Sequence, residues 1–252
     1  MVVKNLILVL GLMLLFSGCL PKSEDVQTAF QTNAATIIKN DQKRLQSLLL
    51  KFKKKLDLRN PSAYNKNDKE NIYSLIEKSN KKFLLKYKNT LLENYKDYLQ
   101  LAFTKDDMQM RNDYLVLGIY YLIDNAYDLD TSYKVAALEY DKDKLDKLYK
   151  NLQIIKWKIK VDKDLHGNYL FLTWQNNWQI ELAQKLRENE SFSYENLHDL
   201  KYIKEKKETI LDSSNFSFEV LLTQMIDSAE NSLRALGEEP KELTVKAMFL
   251  FL

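Results

Sequence analysis

The sequence predicts a mainly α protein, a single-domain helical bundle with a possible short β-hairpin near residues 156–174. Three observations carry that expectation. Turn-making residues are scarce, with five glycines and three prolines among 252 residues, whereas sheet-rich chains of this size need more of them. Apolar residues make up 45% and aromatics 12%, ample for a packed core. Most of those residues recur at three- and four-residue spacing, the period of a helix with one buried face.

The elements follow in order. One lysine, Lys4, precedes an apolar run from Leu6 to Phe16, the layout of a secretory signal. That run is too short to span a bilayer, which takes about 20 residues. It ends in Phe16-Ser17-Gly18-Cys19, where small residues before a cysteine let the chain enter a peptidase site. From Pro21 to about Leu58 a helix is expected, with Ala29, Phe30, Ile37, Leu45, Leu48, Leu49, Phe52 and Leu56 as its stripe. Lys51, Lys53, Lys54 and Lys55 form a basic cluster there, read as a solvated face or a contact for anionic headgroups. Asn60-Pro61 breaks this helix. A second, long helix is expected from Lys69 to about Phe103, and a third from Met108 to Tyr127. The third is almost wholly apolar from Tyr114 to Ile123, which suits a central position.

Residues 128–140 are ambiguous. Asp141 caps a helix carrying Leu145, Leu148, Leu152 and Ile155. Lys156 to Asp162 then alternates as a strand would, and Leu165-His166-Gly167-Asn168 makes a turn toward Tyr169–Trp174. The same stretch also fits two helices joined at Gly167, because Leu170, Trp174, Trp178, Leu182 and Leu186 form a four-residue ladder. Both readings stay open, with two helices favoured. Helices are expected from Tyr194 to about Leu211 and from Phe216 to Leu236, the latter stopped by Gly237. Pro240 opens a last helix ending in Met248-Phe249-Leu250-Phe251-Leu252, an end that should dock in the core.

Two resemblances attach to these residues. Phe16-Ser17-Gly18-Cys19 resembles the lipobox read by lipoprotein signal peptidase. Leucine is usual where Phe16 stands, and spirochaetal lipoproteins accept looser choices there. The resemblance implies a signal peptide at 1–18, an acylated tether at 19–25 and a helical domain at 26–252. Cys19 would be lipidated (palmitate among its acyl chains) and the protein held in the cell envelope by anchors contributing roughly 0.8 kcal/mol per buried CH2. Leu20, where inner-membrane lipoproteins often carry Asp, favours the outer membrane, with the leaflet open. The residues alone also allow an ordinary signal peptide with an incidental cysteine. Tyr114 to Tyr121 resembles the first helix of a tetratricopeptide repeat, but nothing recurs 34 residues away, as a solenoid would require. The segment around Trp174 also resembles uncharacterised helical lipoproteins of Gram-negative bacteria, a likeness that brings no activity with it.

Chemistry is sparsely marked. The chain has one cysteine and two histidines, His166 and His198, which disfavours a zinc site. No phosphate loop or nucleophile elbow occurs, so no catalytic residue, metal or cofactor is expected. His166, beside Gly167, reads as a turn residue. The balance of 38 basic and 35 acidic residues gives no basic face for nucleic acid. The most distinctive stretch is Leu172 to Gln179. Trp174 and Trp178 would share a helix face, with Gln175 and Asn176 alongside, the equipment of a groove for sugar rings or a peptide. They also lie on the apolar ladder and fit core packing. The expected function is a non-catalytic binding or scaffold role toward a protein or peptidoglycan partner. The alternative is a helical carrier of a small or lipidic ligand.

Overall fold

Four long helices form the body, and the chain is mainly α as the sequence predicts. The computed structural model describes residues 23–78, 82–129, 134, 136–188, 193–241 and 243. The elements are α1 (Ser23–Arg59), α2 (Lys69–Lys78), β1 (Lys86–Tyr87), β2 (Thr90–Leu91), α3 (Tyr95–Ala102), α4 (Arg111–Tyr127), α5 (Lys142–Val161), α6 (Asn177–Glu188), α7 (Lys201–Lys204) and α8 (Ser217–Ala235). Short 3-10 turns lie at Ala137–Glu139 and Tyr194–Asp199. Cys19 and its lipobox, and the apolar run Met248–Leu252, lie outside the described residues.

α1 has 37 residues and is therefore about 55 Å long at 1.5 Å per residue. Its buried face carries Ile38, Leu45, Leu49, Phe52 and Leu56, each fully enclosed. α8 lies along it, and α5 packs against α8, while α4 fills the space between α1, α3 and α5. Every residue of α4 from Arg111 to Ile123 is buried, so its lack of a polar face is the mark of a central element. Caps fix the ends. Asp141 accepts the N–H groups of Asp143 and Lys144 at the start of α5. Gly237, at φ +80°, lets its own N–H reach Arg234 and that of Glu238 reach Leu233, closing α8. The small Gly118 admits Leu99 of α3, whose Cδ2 would lie 2.7 Å from any Cβ placed there.

Three expectations need correction. The helix expected from Lys69 to Phe103 is two helices separated by the β1–β2 hairpin, registered Lys86 to Leu91 and Tyr87 to Thr90. Lys88 and Asn89 take positive φ at its tip, which matches the twist of the strands. The ladder from Leu170 to Leu186 is not one helix face, because α6 starts only at Asn177. Near 156–174, residues 156–161 complete α5, and one isolated antiparallel bridge joins Lys163 to Tyr169. The helix expected from Tyr194 to Leu211 is a 3-10 turn followed by a single turn of α7.

Candidate functional site

The stretch singled out in the sequence, Trp174 to Trp178, ends an irregular loop that runs from Asp162 and enters α6. Its amides face inward. Gln175 and Asn176 are buried. Gln175 Oε1 accepts the N–H of Thr173 at 3.0 Å, and Asn176 Nδ2 donates to the carbonyls of Asp212 and Ser213 at 3.1 and 3.2 Å. Glu208 caps α6 from the other side, accepting the N–H of Trp178 at 2.9 Å and Nδ2 of Asn177 at 2.6 Å. Gln175 Oε1 and Asn176 Nδ2 are therefore tied to the loop, whereas Gln175 Nε2 is buried without a partner among the described residues. Both tryptophans are half-buried, and neither indole N–H has a partner among the described residues. Trp174 precedes the helix that carries Trp178, so the pair does not share a helix face.

Trp174 instead joins residues that the sequence did not connect with it. Together with Val161, Tyr169 and Phe216 it walls a surface groove of about 520 Å3. Trp174 meets Tyr169 edge-on, with ring centroids 5.7 Å apart. Val161 is 41% and Phe216 58% exposed, so the groove is an open face. One turn beyond Phe216, Val220 is also exposed.

A tight turn sets the position of Tyr169. Asp164 Oδ1 accepts the N–H groups of His166 and Asn168, both at 2.8 Å, and its Oδ2 accepts Asn168 Nδ2 at 3.0 Å. Gly167 supplies the positive φ that the turn demands, +78°. Burial pulls the Asp164 carboxyl upward, but the bonds from Asn168 and His166 outweigh it and hold the group below its ordinary range. The turn brings Lys163 Nζ to 4.7 Å from the Tyr169 ring centroid. His166 is exposed at the tip and His198 is exposed elsewhere.

Charge at the groove is uneven. Glu219 is gripped by Lys156 at 2.7 Å and Lys160 at 3.3 Å. Burial raises its pKa, yet the bonds and charges of the two lysines prevail and lower it. Among the described residues Lys163 meets no carboxylate. Lys160 and Lys163 thus line the groove with Glu219 as its one lining acid, and Asp164 is held by its own turn.

Beneath the loop lies a buried ionic cluster that sequence reasoning missed. Lys53, placed in the basic surface cluster by its neighbours, is fully enclosed. Its ammonium lies 2.7 and 2.6 Å from the oxygens of Asp57 and 2.8 Å from Asp113 Oδ1. Asn112 Nδ2 donates to Asp57 Oδ1 and to the carbonyl of Asn60, each at 3.2 Å. Asn60 in turn holds the loop, accepting the N–H of Leu172 at 3.0 Å and donating to its carbonyl at 3.2 Å. Arg59 adds bonds to the Gln175 carbonyl and the Asn177 side chain. With Lys53 and Asp113 at 0% exposure, the cluster has no access to a substrate and acts by positioning. The available signal was Arg111-Asn112-Asp113, three polar residues heading a helix too apolar to leave them in water.

Among the described residues no group of acidic, histidine or cysteine side chains converges to hold a metal ion. No helix among them is long and apolar enough to cross a membrane. No protein-family model, curated protein or solved structure matches the chain.

Proposed function

We propose that the chain is an envelope lipoprotein, anchored through acylated Cys19, whose helical body binds a protein partner without catalysis. The observation that carries the binding half is the open groove of Val161, Tyr169, Trp174 and Phe216. Half-buried aromatics beside exposed Phe216 and Val161 in one concavity form the kind of apolar patch on which recognition surfaces are built. Its walls come from a capped turn and two helix ends, so little ordering is required on binding. The anchoring half rests on Phe16-Ser17-Gly18-Cys19 following a short apolar run. The outer membrane is favoured by Leu20.

A carrier that engulfs a small or lipidic ligand is the rival reading. The exposure of Val161 and Phe216 suits a chain laid across the groove better than a molecule enclosed by it. Two experiments test the proposal. Cys19→Ala should abolish radiolabelled palmitate incorporation and release the protein from membranes; persistent labelling refutes the anchor. A photo-crosslinking residue at Val161 or Phe216 should capture one discrete partner in intact cells, while the same probe at exposed Leu91 should not. Equal capture at all three positions removes the groove from the reading.

A further inference from the structure

We propose that the groove takes a peptide segment that pairs an aromatic or branched aliphatic side chain with neighbouring carboxylates. This deepens the reading of the groove as a protein-binding face and rests on it. The walls ask for an apolar side chain. Val161, Tyr169, Trp174 and Phe216 line the groove, and its neutral polar groups are the Ser214 and Tyr169 hydroxyls and the buried Trp174 indole N–H. Sugar rings need several neutral hydrogen-bonding groups in addition to a stacking face. Of the two that the sequence offered, Asn176 is committed to loop carbonyls, and Gln175 is buried with its Oε1 on the Thr173 N–H.

The rim selects the charge. Glu219 is shared by Lys156 and Lys160, and Lys163 stands over Tyr169 without a carboxylate among the described residues. A carboxylate entering the groove would meet Lys163 and the exposed Lys160, whose partner Glu219 is already served by Lys156. An ammonium entering there would face surplus positive charge. Like charges in a partly desolvated groove repel, so the same arrangement selects against basic segments.

The neighbouring surface already seats a peptide side chain. Leu243 lines a second cavity, of about 330 Å3 between α5 and α8, that shares Lys160 with the groove. The N–H of Leu243 donates to Gln153 Oε1 at 2.9 Å. Gln153 Nε2 is buried and has no partner among the described residues. A side-chain amide that accepts a backbone N–H and keeps a donor in hand suits a peptide backbone. The seam therefore presents apolar recesses and a backbone-reading amide, with Asp227 and Glu230 balancing Lys156 and Lys160 in the second cavity, so the positive surplus is confined to the groove.

The test uses the full chain in nanodiscs of neutral phosphatidylcholine and three labelled peptides followed by fluorescence anisotropy. They are Asp-Glu-Phe-Leu-Glu-Gly, the same peptide with Lys at each acidic position, and the same with Ala-Ala for Phe-Leu. The acidic apolar peptide should bind at least about tenfold more tightly than either control, the scale of one charge-assisted contact. Lys163→Glu, a change at an exposed side chain whose folding is checked by circular dichroism, should invert the preference between acidic and basic peptides. Equal affinities unaffected by Lys163→Glu overturn the proposal. So does binding of none of the peptides, or saturable displacement by octanoate, which would mark the groove as a lipid site. Discrete crosslinks at Val161 and Phe216 without the acidic preference would leave a protein-binding face for a partner of different chemistry.

Discussion

Replacing Lys53 with methionine is the sharpest perturbation of this structure. Methionine keeps the aliphatic stem and creates little cavity, so the change isolates the ammonium. In the intact protein that ammonium sits within 2.8 Å of both Asp57 and Asp113. Without it, two carboxylates with exposures of 4% and 0% face each other. Their remaining donors are Asn112 Nδ2 at 3.2 Å, the Asn65 N–H at 2.7 Å and the Tyr73 hydroxyl at 3.5 Å. Breaking a buried pair from one side costs about 3–5 kcal/mol, because a charge is left enclosed and unpaired. At about 2–4 °C per kcal/mol for a chain of this size, the melting temperature should fall by roughly 6–20 °C. The loss also has a pH signature. Burial already pushes Asp113 above its ordinary range, with Lys53 and the Asn65 N–H pulling it back, and removal of Lys53 raises it further. A carboxyl whose folded pKa exceeds its unfolded value penalises the fold above that pKa, and the penalty fades as pH falls through it. The deficit of Lys53→Met should therefore shrink as the pH is lowered from about 7 toward about 5. Asp113→Asn in the same chain should restore part of the stability. Urea unfolding followed by circular dichroism measures all three quantities. A deficit below about 1 kcal/mol, or one that does not change with pH, would show that the cluster is not an ionic buttress.

Four further outcomes are expected. Asn176→Ala should cost about 0.5–1.5 kcal/mol by removing its bonds to the carbonyls of the exposed Asp212 and Ser213, read as a fall in urea midpoint at constant slope. Trp174→Ala, at a half-buried site, should cost less than the roughly 3–5 kcal/mol of a core tryptophan while it weakens peptide capture. Gly118→Val should destabilise by about 1–3 kcal/mol or more through collision with Leu99, whose backbone nitrogen also stands 3.3 Å from the new Cβ. Asn60→Ala should speed amide hydrogen exchange across residues 172–176 while leaving the centre of α4 protected; unchanged exchange there would refute the tie between α1 and the loop.

The parts legible in the sequence are those in which one local period decides the element. α1, α4 and α8 fall within a few residues of their expected bounds and α5 starts at its expected cap, because apolar spacing marks the buried face and Asp141, Asn60 and Gly237 mark ends. The hairpin at Lys86–Leu91 was hidden because Phe83, Tyr87 and Tyr95, four or eight residues apart, pack on the core from strand and loop as well as they would from a helix. Lys88-Asn89 forms its tip without the glycine that usually announces one. The loop before α6 was illegible for a different reason. Its partners are distant in the chain: Asn60 for Leu172, Asp212 and Ser213 for Asn176, and Glu208 for the first turn of α6. A ladder of four-residue spacing predicts a helix only where no such long-range bonds compete with it. The groove was beyond reach for the same cause, since Phe216 and Tyr169 meet Trp174 only through that loop.

The position of the groove follows from the way an irregular loop has to be satisfied. Between Asp162 and Asn176 the chain forms no helix and a single bridge, so its buried N–H and C=O groups need partners from elsewhere. Asn60 serves both polar groups of Leu172, Arg59 takes the Gln175 carbonyl, and the N–H of Asn215 donates to the Trp174 carbonyl at 2.8 Å. The first two donors stand at the C-terminal end of α1, where Asn112 grips Asn60 and the Lys53–Asp57–Asp113 cluster ties α1 to α4. Buried ionic clusters of this kind add little net stability compared with a well-packed apolar replacement, but they permit only one arrangement of their donors. Here that arrangement fixes the rotation of α1 against α4, and with it the two residues that template the loop. The cost of enclosing three charges is thus matched by a surface consequence: Trp174, Tyr169 and Phe216 are held in one concavity by bonds that begin in the core.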